Sequence, residues 1–118
     1  MDSIILSAED LLAGAETIFE IVMPNEMISQ SFDAKTMNGN GTTQERIIKI
    51  RPLTIGVFSL ITRAAKNDSA LIPLFMIKES VVEPVLTIEQ VKKMPIGMVE
   101  FIIENIRNVS GLTKKKSL

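Results

Sequence analysis

The sequence predicts an α+β domain that is mainly α, with a small N-terminal two-stranded hairpin packed on a C-terminal bundle of about four helices. Three observations predict it. Two short runs rich in β-branched residues lie within residues 17–51, helical apolar spacing dominates from residue 54 onward, and cap residues and prolines divide that second half into pieces.

The elements follow in order. Ser7-Ala8-Glu9-Asp10 reads as a helix start, with Ser7 as the N-cap and acids in the first turn, and Gly14 should end that helix early. Thr17 to Met23 is β-branched and aromatic and stops before Pro24, so a strand is expected. Residues 29–45 hold Asn38-Gly39-Asn40-Gly41 and several hydroxyl residues without periodicity, and read as a mobile loop. Arg46 to Arg51 is the second strand, ended by Pro52. A lone hairpin is marginal, so it must pack on helices. Thr54 caps a helix whose stripe is Val57, Phe58, Ile61, Ala64 and Ala65, broken at Asn67-Asp68-Ser69. Pro73 suits the first turn of the next helix, expected to run to about Val82 and to stop at Pro84. Thr87 and Gln90 have capping-box spacing and open a short helix ended by Met94-Pro95. The last helix carries Val99, Ile102, Ile103, Ile106 and Val109 on one face and Glu100, Glu104, Arg107 and Asn108 on the other, with Gly111 placed as its C′ residue. Residues 1–113 therefore form one domain, divided into a β-containing part (1–53) and a helical part (54–113), and 114–118 is a basic tail.

Composition narrows the chemistry. Among 118 residues there is no histidine, cysteine, tryptophan or tyrosine. The commonest general base, the commonest metal ligand and every thiol are missing, so no catalytic residues, no metal ligands and no cofactor site are expected, and the chain reads as a binding protein rather than an enzyme. Hydrophobic residues make up 46% of the chain, yet the longest unbroken apolar run is eight residues, Ala70 to Ile77, and contains Pro73. A spanning helix needs about 20. The start, Met1-Asp2-Ser3, lacks a basic n-region, so neither a membrane segment nor a signal is expected and a cytoplasmic location is.

Charge is asymmetric. Residues 1–45 hold eight acidic and one basic side chain, a net of −7, while residues 46–118 hold twelve basic and six acidic, a net of +6. The halves could attract each other or face different partners, and a solvated surface with chance patterning is an equal reading. Glu100 and Glu104 share a helix face, but with no histidine beside them they read as its solvated side. The glycine-rich stretch at 38–41 has no lysine-serine pair after it and reads as a turn, not a phosphate cradle. Lys114-Lys115-Lys116 is too short and too free of aromatics to argue for nucleic acid, and it reads as a solubilising tail.

The last helix is apolar over a wider arc than one core face needs. Met76, Val81, Val82, Met94, Met98 and Phe101 are therefore the expected partner-binding residues. For the methionines, core filling is the favoured alternative. Arg51 to Thr54 and Glu83-Pro84 read as structural: a strand exit, a helix cap and a helix stop.

These residues carry a resemblance. Residues 50–66 (IRPLTIGVFSLITRAAK), 76–84 (MIKESVVEP) and most fully 86–111 (LTIEQVKKMPIGMVEFIIENIRNVSG), with the opening LLAGAE at 11–16, resemble phage-type tail assembly chaperones, in the versions found with contractile tails and contractile injection systems. The resemblance spans roughly residues 11–112; the loop at 29–45 has no counterpart in it. It implies a mostly helical protein that binds the tape-measure protein and keeps it soluble until the tail tube polymerises around it. The tail-tube protein and a second copy of the chain are further candidate contacts, while nucleic acid and membrane are not expected partners. A small structural subunit of the particle is the alternative. The resemblance also implies a longer frameshifted product, for which codons at Lys114 to Lys116 are the place to look.

Overall fold

The computed structural model describes residues 2–28 and 45–112. The expected loop, except Glu45, and the lysine tail lie outside the described residues.

The chain begins with an arm. Ser7 caps α1 (Ala8–Leu12) in a full capping box: the Asp10 N–H donates to Ser7 Oγ at 3.1 Å and the Ser7 N–H donates to Asp10 Oδ2 at 3.0 Å. Gly14 does not end the turn outright. A 3-10 turn, Ala13–Glu16, continues through it before the backbone becomes extended.

Among the described residues three strands follow rather than the expected two: β1 (Phe19–Val22), β2 (Ile47–Ile50) and β3 (Val81–Glu83), in the order β1-β2-β3 and antiparallel throughout. The β1–β2 register pairs Phe19 with Ile50 and Ile21 with Ile48, which places these four side chains on one face. The opposite face pairs Glu20 with Lys49 and Val22 with Ile47. β3 takes residues assigned from sequence to the end of a helix. That helix stops at Ser80 because Val81 and Val82 are β-branched, because Pro84 disfavours helical backbone at Glu83, and because the free edge of β2 offers them a ladder. The Glu83–Pro84 peptide is cis. Lys49 Nζ lies 3.5 Å from Glu83 Oε1 across the β2–β3 pair.

Four further helices lie among the described residues. Thr54 caps α2 (Ile55–Ala65) through a 3.1 Å bond from the Val57 N–H. Lys66, at φ 56°, turns the chain out of it, and the Asp68 side chain accepts from the Ala70 N–H before α3 (Ile72–Ser80). Pro73 sits in the first turn of α3, where no helical N–H is needed. Thr87 and Gln90 form a second reciprocal capping box at the start of α4 (Ile88–Lys92). After Pro95 comes α5 (Ile96–Val109), which closes in a Schellman motif: the Gly111 N–H donates to Asn108 C=O and the Leu112 N–H to Arg107 C=O, with Gly111 at φ 79°. No helix among the described residues is long and apolar enough to cross a membrane.

The third helix is the hub. It contacts α2, α4 and α5 and runs directly into β3. Its sequence is apolar on nearly every side, as expected for a helix covered on several faces. The core joins the inner sheet face (Ile50, Val81) to Ile61, Met76, Ile77, Val91, Ile102 and Ile106. Ser80 is built into it as a fully buried polar group: its Oγ–H donates to Arg51 C=O, and its own C=O accepts from the Arg51 N–H at 3.0 Å. Two bonds thus lock the end of β2 to the α3–β3 junction.

Candidate partner-binding surface

The six expected binding residues do not form one exposed surface. Met76 and Val81 are 5% and 4% exposed and belong to the core. Met76 is inward because α3 is covered on three sides, and Val81 because it stands opposite Ile50 on the inner sheet face. Met94, Met98 and Phe101 are half-buried and pack against the core from α5 and the turn before it. Val82 is also half-buried, but it lines a different hollow, with Glu16, Ile18, Arg51 and Val57. A charge at Met98 or Phe101 would therefore strike the edge of the core as well as any partner surface.

Exposed apolar surface lies elsewhere. The arc on α5 is divided into two stripes. Ile102 and Ile106 face inward and are buried. Ile96, Val99 and Ile103, at i, i+3 and i+7, line a surface groove with Pro73 of α3. Ile96 is 77% exposed. Glu100 and Glu104, both exposed, stand along this groove. The pair read from sequence as a solvated face thus flanks an apolar floor. The sequence expectation placed the binding residues one helical face away from this groove, at Met98 and Phe101. The i, i+3, i+7 spacing of Ile96, Val99 and Ile103 was the available signal.

A second groove lies on the other border of the hub helix. Val57, Leu60, Ile61 and Ala64 of α2 line it with Phe75, Lys78 and Glu79 of α3. Lys78 Nζ is 3.7 Å from Glu79 Oε2, and Arg63, one turn from Leu60, is exposed.

The third exposed group is the arm. Every residue from 2 to 14 is exposed, including Ile4, Ile5, Leu6, Leu11 and Leu12. Ala8, Leu11 and Leu12 share one face of α1, and Glu9 and Asp10 stand away from it. The bonds from Ser7 hold the Asp10 carboxyl below the ordinary aspartate range; the Ser7 backbone N–H contributes most and the hydroxyl less.

Among the described residues no group of three acidic side chains is placed to hold a metal ion. No family model, curated protein or solved structure matches the chain.

Proposed function

We propose that this protein is a tail assembly chaperone, a holdase that binds the tape-measure protein and keeps it soluble while a phage tail or related contractile particle assembles. The observation that carries the binding role is the groove lined by exposed Ile96 and half-buried Val99 and Ile103, flanked by Glu100 and Glu104. A long helical client with apolar and basic faces would lay one face into the groove, gaining apolar burial from the floor and orientation from the two carboxylates. The choice of the tape-measure protein as client rests on the resemblance of residues 11–112 to tail assembly chaperones.

Co-expression tests the proposal. The tape-measure protein encoded beside this chain should be soluble when the two are made together and aggregate when it is made alone. Ile96→Asp should abolish that protection, because it places a charge on the groove floor at a position where folding asks little of the side chain. A client equally soluble without this chain would end the chaperone reading. Stoichiometric presence of the chain in purified particles would instead favour a structural subunit.

A further inference from the structure

The groove between α3 and α5 has one charged border. Successive residues of a helix are about 100° apart, so the sides of α5 follow in order. Ile102 and Ile106 face the core, Ile96, Val99 and Ile103 form the floor beside them, and Glu100 and Glu104 come next. The two carboxylates stand one turn apart, about 6 Å along the axis. Both are exposed, and neither makes an ion pair among the described residues. No residue that lines the groove is basic. The floor itself is short: Ile96 is 77% exposed, Val99 and Ile103 are half-buried, and the three span about two turns. Burial on so short a floor discriminates poorly among apolar helices, so selection falls to the charges. We propose that the groove recognises a helix carrying two cationic side chains one turn apart, at i and i+4, beside an apolar i, i+3, i+7 stripe. This rests on the groove being the site that holds the client, and it states the charge pattern that the client presents there.

The spacing fits. Lysines or arginines four residues apart on a helix lying along the groove repeat the rise between Glu100 and Glu104, and their long stems bring the charged ends within reach. A second copy of the chain is a poor occupant. Two-fold pairing over the same stripe sets like flanks against each other, so Glu100 and Glu104 would meet their own counterparts. Two exposed ion pairs together make about a 2- to 30-fold difference in affinity at low salt. Most of it is lost at about 1 M salt, where charges are screened within about 3 Å.

Three synthetic helical peptides of equal length test the pattern, each titrated into the full chain and followed by NMR chemical shifts. The first carries leucines at i, i+3 and i+7 and lysines at i+4 and i+8, the spacing of the floor and its carboxylates. The second has glutamates in place of the lysines. The third keeps the composition of the first but moves the lysines to i+5 and i+9, opposite the stripe. At low salt the first should bind about 2–30-fold tighter than the third, with the second weakest, and the preference should fade at high salt. Glu100→Gln with Glu104→Gln should level the three affinities without abolishing binding, and Glu100→Lys with Glu104→Lys should favour the second peptide. Equal affinities for the unmodified chain, or a preference that survives both glutamine substitutions, would overturn the charge pattern and leave an apolar groove. No shifts at groove residues with any peptide would overturn it together with the client groove. So would a dimer of the chain that Ile96→Asp separates.

Discussion

Replacing Ser80 with alanine removes one oxygen atom from the middle of the fold. Ser80 is 0% exposed, and its hydroxyl donates to the Arg51 carbonyl while the Arg51 N–H donates to the Ser80 carbonyl. Arg51 Nε also donates to the Glu79 carbonyl at 3.2 Å, so the strand end and the helix end are joined at three points. Alanine keeps the backbone bond and loses the hydroxyl. The Arg51 carbonyl then sits against a methyl group, and a part-buried acceptor stripped of its donor costs about 1–3 kcal/mol. An unfolding entropy of about 2.1 cal/mol/K per residue, over a chain of this length, is roughly 0.25 kcal/mol/K, so Tm should fall by about 4–12 °C. Ser80→Val should be at least as damaging, because it adds volume at a fully packed site as well as losing the donor. Ser59→Ala, on the exposed side of α2, is the control and should change stability by less than about 0.5 kcal/mol. Thermal denaturation followed by circular dichroism reads all three. A Ser80→Ala variant that melts within about 1 °C of the parent would refute the assignment of Ser80 as a polar lock between β2 and α3.

Three other expectations are open to direct measurement. Ile102→Ala removes a side chain that is 2% exposed where α5 meets the core, and urea titration should show a loss of about 2–5 kcal/mol, with the upper end expected if the site does not collapse. Gly111→Ala should cost about 1 kcal/mol through backbone strain alone, since φ is 79° and a Cβ there would meet no atom within 4 Å; a neutral result would mean that the C′ turn rearranges. Asp10 should titrate below 3.8 in a carboxyl NMR titration, and Ser7→Ala should return it upward. Its folded-state pKa is lowered, so the capping contribution is complete above the unfolded value of 3.8 and is lost as pH falls through the lowered one. An Asp10 that titrates at or above 3.8 would mean that the box does not persist in solution.

Local signals were readable and non-local ones were not. Ser7 with Asp10, Thr54, Thr87 with Gln90, and Gly111 are each recognised within one turn of chain, and the structure uses each of them as a cap. β3 could not be read that way. Val81 and Val82 continue an apolar run from α3, and what makes them a strand is the open edge of β2, some thirty residues away in sequence. Met76 has the same history. A methionine near a helix end suits a core or an adaptable surface equally well. It is buried because α3 meets three other helices, a fact about topology that no spacing encodes. The arm is the converse case. Its apolar residues were plain in the sequence, but their exposure follows from α1 being five residues long and too short to lay a stripe against the body.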